Sequence, residues 1–245
     1  MNASPDRLFT TTYPGRLIII GRDASGRNHI VVYAVTGRSP ASQARELVRL
    51  DRAVWTRPTD PAVLAGGNPD LLIYPAVLLG PGIAVSNGKQ TADIDPAAGP
   101  SAAEVLAASL KAWTFEPDEP IFTPRISGCV LPDGEAGLHI VRRGAGGEAE
   151  RLVFTFRAAP GCGKMISTYA GPNEQPLPVF RGEPVDVALP GPTARATAKA
   201  VYSSLAPADE SETDFRVAVA CVFARAADLS EIEFAVINRH ERKTP

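Results

Sequence analysis

Cysteine, histidine and methionine are all scarce in this 245-residue chain, at three, three and two residues. Cys129, Cys162 and Cys221 are widely separated and form no C-x-x-C pair, which argues against both a disulfide framework and a zinc site. His29, His139 and His240 have no partner at metal-ligand spacing, so no metal is expected. An excess of one charge is missing too: 25 Lys and Arg stand against 27 Asp and Glu, a net charge of −2 with no long run of either sign. Neither a nucleic acid nor another bulk polyanion is therefore expected as a partner. Apolar runs such as Leu17 to Ile20 fall far short of the ~20 residues that cross a bilayer, so no membrane partner is expected. The opening MNASPDRLFTTTYPGR has no basic segment followed by an apolar stretch, which predicts a cytoplasmic location. G-x-G-x-x-G, P-loop, G-x-S-x-G and H-E-x-x-H patterns are all absent, which removes the main support for dinucleotide, P-loop, serine-hydrolase and zinc-protease readings.

Proline and glycine are what the chain has in quantity, 23 and 21 residues, without repeats. They separate short runs rich in Leu, Ile, Val and Tyr. Residues Arg16 to Ile20 and Ile30 to Val35 flank the turn formers Gly21 to Arg27 and predict a hairpin. Further strands are expected at Leu71 to Val77, Ile83 to Ser86, Ile126 to Leu131, Leu138 to Arg143, Leu152 to Arg157, Met165 to Tyr169, Phe215 to Arg225 and Glu231 to Asn238. A second hairpin is expected around Gly144 to Gly147. Ser101 to Glu104 matches a capping box, and Ala102, Leu106, Leu110 and Trp113 recur on one face, which predicts a helix of roughly four turns. A second helix is expected from about Thr193 to Leu205. Pro172 to Pro192 reads as a packed connection. Strands in hairpin pairs with two helices predict an α+β fold with largely antiparallel sheets and one domain over 1–245, residues 1–12 forming a flexible extension.

Three leads carry chemistry. Arg22, Arg38 and Arg125 lie beside turns, where a guanidinium suits bidentate binding of phosphate or carboxylate, although any one of them also reads as solvated charge. Ser86-Asn87-Gly88 with Thr91 reads as an Asn-Gly hairpin from spacing alone, or as a polar ligand loop. Phe115-Glu116-Pro117-Asp118-Glu119-Pro120 is an acidic loop just before Thr123-Pro124-Arg125, and a carboxylate there could act as a general base or remain a solvated loop residue. Tyr74 and Tyr169 read as core residues or as proton donors.

Taken in order, Gly15-Arg16 with Gly21-Arg22, Gly37-Arg38-Ser39, Asn68-Pro69 with Tyr74, Val85-Ser86-Asn87-Gly88, Asp118-Glu119 with Thr123-Pro124-Arg125-Ile126, and Ile166-Ser167-Thr168-Tyr169 resemble the archaeal-type IMP cyclohydrolase family. The resemblance runs roughly from Tyr13 to Phe180. It implies a four-layer αββα sandwich of the N-terminal-nucleophile hydrolase type, used without that nucleophile. It also implies closure of 5-formamidoimidazole-4-carboxamide ribonucleotide to IMP with loss of water, a purine nucleotide substrate, a homo-oligomer, and neither cofactor nor metal. Tyr74, Glu119 and Arg125 would then be catalytic, Tyr74 and Glu119 moving protons. Arg22 and Arg38, with Arg125, would contact phosphate and carboxamide. Ser39, Asn87 and Thr123 would hydrogen-bond the ribose or base, and Thr168 and Tyr169 would line the pocket. This chain departs from the family pattern at Lys89-Gln90, where the family has Ser-His, and at Ala170, where it has Glu. A related reaction on another amide-bearing nucleotide, an N-terminal-nucleophile amidohydrolase and a non-catalytic nucleotide binder remain as alternatives.

Overall fold

A computed structural model describes residues 12–60, 62, 72–189, 191–209 and 211–240. The chain forms β1 (Arg16–Arg22), β2 (Asn28–Thr36), the one-turn α1 (Pro40–Gln43), β3 (Arg45–Leu50), β4 (Ala53–Pro58), β5 (Tyr74–Leu79) and β6 (Ile83–Ser86). After a short 3-10 helix (Lys89–Asp93) come α2 (Ala102–Ser109), β7 (Arg125–Val130), β8 (Ala136–Arg143), β9 (Ala149–Phe156) and β10 (Cys162–Ser167). β11 (Val185–Ala188), α3 (Ala194–Ser204), β12 (Arg216–Arg225) and β13 (Ile232–Asn238) follow.

Two sheets result. One has six strands in the order β11-β10-β1-β2-β12-β13 and the other seven in the order β3-β4-β5-β6-β7-β8-β9. Every neighbouring pair is antiparallel. The sheets share one core, in which Ile18, Ile20, Val31 and Tyr33 pack with Val54, Tyr74, Val85 and Ile126. On the outer face of the six-stranded sheet, Leu17, Ile19, Ile30 and Val32 meet Ala194, Ala198 and Val201 of α3. On the outer face of the other, Ala84, Cys129 and Leu131 meet Ala102, Val105, Leu106 and Leu110 of α2. The layer order is thus helix, sheet, sheet, helix. β1 and β2 are buried on both faces, which is why they read as unbroken apolar runs rather than alternating ones.

The two expected hairpins form at β1–β2 and β8–β9, and the last two expected strands pair with each other as β12–β13. Ser101 and Thr193 cap α2 and α3 by accepting from the Glu104 and Ala196 amides. Four expectations are corrected. The helix predicted to reach Trp113 ends at Ser109, about two turns, because Trp113 leaves the helix line and its indole donates to Asp93 at 2.7 Å. Asn87-Gly88 is not a hairpin turn; Gly88 caps the 3-10 helix, and β6 pairs with β7 across a long excursion that includes α2. β3, β4 and β11 form where no strand was foreseen, the last inside the Pro-rich stretch read as a mere connection. The strand expected to reach Tyr169 ends at Ser167, and Tyr169 makes only an isolated bridge with Val179. Leu71, Asn68-Pro69 and residues 1–11 lie outside the described residues. No described helix is long and apolar enough to cross a membrane.

Candidate functional site

At one end of the sandwich β1 and β7 begin, β6 and β10 end, and β5 starts at Tyr74. Their terminal side chains converge there. Arg16 opens β1 on the face that points between the sheets, the same face as Ile18 and Ile20. Its guanidinium donates to Glu116 Oε1 at 2.9 Å, and both side chains are almost wholly buried. Arg125 lies 3.9 Å from the same oxygen, so one carboxylate stands between two arginines. Burial alone would lower the pKa of Arg16, but Glu116 together with Tyr74, Tyr169 and Tyr33 outweighs it and holds the guanidinium well above its ordinary range. Burial lowers Arg125, which Glu116 only partly offsets.

The loop between α2 and β7 carries Glu116 inward and is closed on itself. Glu116 N–H donates to Thr123 O at 2.9 Å, and Asp118 accepts from the Thr123 amide at 2.6 Å and from its hydroxyl. Thr123 Oγ1 is also 2.6 Å from the Tyr169 hydroxyl. From the opposite side, the Tyr33 and Tyr74 hydroxyls meet at 2.8 Å, both fully buried. Burial pushes Tyr169 up to about 12 and raises Tyr33 well above a free phenol, so both hold their protons at neutral pH. Asn87 ties the floor together: its amide donates to Pro124 O at 2.9 Å and accepts from Ile126 N–H at 2.9 Å and Gln90 Nε2 at 3.0 Å. Gln90 Oε1 accepts in turn from Arg125 at 3.2 Å. Two features finish the enclosure. Arg125 Nε donates to Thr114 O at 2.8 Å with its guanidinium over the Trp113 ring, and Thr168 Oγ1 accepts from the Arg16 amide at 3.1 Å.

Of the residues expected at a site, Tyr74, Asn87, Thr123, Arg125, Thr168 and Tyr169 are brought together here. Arg38 is at the margin, over the Tyr13 ring that stacks on Tyr169, and donates to Asn173. Ser39 is exposed and caps α1. Glu119 is exposed, and the carboxylate beside the arginines is Glu116. Arg22 closes β1 at its other end; six steps of about 3.3 Å put it roughly 20 Å from Arg16. Arg16, Gln90 and Glu116 were noted in sequence motifs without an assigned site role, and Tyr33 and buried Arg45, which bears electrostatically on Tyr33, were not singled out. One signal was available: of the four Gly-Arg steps in the chain, Gly15-Arg16 and Gly21-Arg22 bracket a single strand.

Arg16, Arg38, Arg45 and Arg125 surround this end against Glu116 and Asp118, an excess of positive charge that suits a phosphorylated or carboxylated ligand. Among the described residues no group of three His, Cys, Asp or Glu side chains has the arrangement to hold a metal ion. What the cluster offers is fixed cations, protonated phenols and one buried carboxylate, a set able to bind an anion, move protons and stabilise developing negative charge.

A family model described as IMP cyclohydrolase-like protein matches residues 13–227, past Phe180 and through α3 and β12. No curated protein matches the chain.

Proposed function

Because the chain belongs to the IMP cyclohydrolase-like protein family, we propose that it closes 5-formamidoimidazole-4-carboxamide ribonucleotide to IMP with loss of water. The observation that carries this reading is the buried Arg16–Glu116–Arg125 cluster with the Tyr33–Tyr74 and Thr123–Tyr169 pairs around it. In that reaction the carboxamide nitrogen bonds to the formyl carbon and loses one proton while the formyl oxygen gains one, giving a carbinolamine. That oxygen then takes a second proton and leaves as water as the C–O bond breaks, and the formamido nitrogen gives up its own proton to form the ring C=N bond. Arg16 would stabilise the oxyanion while the tetrahedral carbon forms, its plane fixed by Glu116. Tyr74, backed by the Tyr33 hydroxyl, would protonate the departing oxygen, and Glu116 would take the proton from nitrogen in the place first assigned to Glu119. Arg125 and Arg38 would hold the carboxamide and phosphate, and Asn87, Thr123, Thr168 and Tyr169 would shape the pocket. The layered fold would then be a variant of the N-terminal-nucleophile hydrolase type, working as a homo-oligomer in the cytoplasm.

Ultraviolet absorbance of the ring closure tests this. Wild-type protein should produce IMP, and Tyr74→Phe and Glu116→Gln should each lower turnover by about 10²–10⁴-fold, the usual weight of a general acid or base. Glu119→Gln should stay near wild type. Wild-type turnover in both of the first two variants would sink the assignment. A second reading has one observation in its favour: Gln90 stands at the family's His position and binds Arg125 with a neutral amide. A thermal shift with IMP but no IMP formed would favour a related amide-bearing nucleotide or a non-catalytic binder.

A further inference from the structure

The opposite end of β1 holds a second group of arginines that the reading above does not use. Arg22 at the end of β1, Arg27 in the β1–β2 turn and Arg225 at the end of β12 line one cavity of about 680 Å³ with Asn28, Ala227 and Glu231. Strand pairing puts them there: Arg22 lies opposite His29 across the first hairpin, and Asn28 lies opposite Arg225 across β2–β12. The cations are incompletely neutralised. Glu231 pairs with Arg225, but Arg22 donates to the Gly26 carbonyl and Arg27 Nε to Ser25 Oγ, neither to a carboxylate. The nearby carboxylate of Asp23 is turned away onto Ser25 and Asn28. Burial first, then the charges of Arg22 and Arg157, hold the neighbouring His29 down to about 4, whereas Glu231 and then Asp228 bear on Arg225. Three arginines lining one cavity suit the oxygens of a phosphate group, because a guanidinium carries parallel donors.

We propose that this cavity binds a small phosphorylated ligand carrying two linked phosphates, at a site separate from the Arg16–Glu116 cluster. Its size suits a nucleoside diphosphate rather than inorganic phosphate alone, since ligand cavities of this kind run from roughly 300 to 1,000 Å³. The inference stands apart from the reaction proposed above, because none of its residues belongs to that cluster.

The test uses inorganic pyrophosphate and ADP as probes, with sodium sulfate at matched ionic strength as control. Either probe at about ten times its dissociation constant should raise Tm by about 3–5 °C, with sulfate giving less. Amide resonances of Gly26 to Asn28 and Arg225 to Ala227 should move on titration, and those of Glu116 to Arg125 should not. Ala227→Glu puts a carboxylate on the exposed cavity wall at little risk to folding, and Arg27→Gln removes an exposed cation. Each should weaken binding at least tenfold, whereas Glu116→Gln should leave it unchanged. Undiminished shifts in both cavity variants, equal shifts with sulfate, or no movement of the Gly26–Asn28 amides would overturn the proposal.

Discussion

Gly15 shows how tightly the site end is held at the scale of one residue. It adopts φ +71°, and an added Cβ would stand 2.2 Å from Thr168 Oγ1 and 2.6 Å from the Tyr169 ring. Gly15→Ala should therefore cost at least about 1–3 kcal/mol in urea unfolding and displace Tyr169 from Thr123. Glu116 bears on stability as well as turnover. Removing its charge leaves Arg16 buried without a counter-ion, so Glu116→Gln should lower the urea midpoint, and turnover is best compared at temperatures where the variant is folded. Titration gives another residue-scale outcome. His29 and His139 are both held down to about 4, His139 by burial and then by Arg151. The unfolded chain binds protons on these rings below about 6.5, and the folded chain resists until about 4. Stability from them is thus complete above pH 6.5 and lost as pH falls toward 4, by up to about 3 kcal/mol each. His139→Leu, which also removes the unpartnered buried Nδ1, should flatten part of that decline in urea midpoints measured from pH 7 to pH 4.

Among elements, the join between β6 and β7 depends on one side chain. Asn87 serves the Pro124 carbonyl and the Ile126 amide, both buried, so Asn87→Ala should orphan both and cost about 2–4 kcal/mol in urea unfolding. Asn87 also explains what the sequence could not show. An Asn-Gly step signals a hairpin from local geometry, but here the amide is spent on a strand nearly forty residues away. Strands buried on both faces, such as β1, β2 and β12, were legible as apolar runs. β3 was not, because its Arg-Glu-Leu-Val-Arg-Leu sequence alternates charge with leucine at a sheet edge, and neither was β11, four residues long with an Asp inside. At the site the logic is similar. Arg125, Thr123 and Tyr169 announce themselves beside a turn or at a strand end. The Arg16–Glu116 pair spans 100 residues, and no local pattern distinguishes Glu116 from Asp118 or Glu119.

Across the whole molecule the two sheets differ in how they use the chain. The seven-stranded sheet runs β3 to β9 in strict chain order, all of it between Arg45 and Phe156. The six-stranded sheet takes its strands from both sides of that block, joining β1 to β10 and β2 to β12. Pairing of neighbours closes short loops, whereas β2–β12 closes one of nearly two hundred residues, so the first sheet to gather should be the contiguous one. Pulse-labelled hydrogen exchange during refolding should find β6 to β8 amides protected before those of β2 and β12; the reverse order would contradict this. For a chain emerging from a ribosome the same layout imposes a wait. β1 and β2 are made first and pair with each other, but their outer edges have no permanent neighbours until β10 and β12 appear, so two of the most apolar segments must pass most of synthesis with one bare edge each. That interval is where a chaperone would find its purchase, and where a pause in translation after residue 156 would do the most harm.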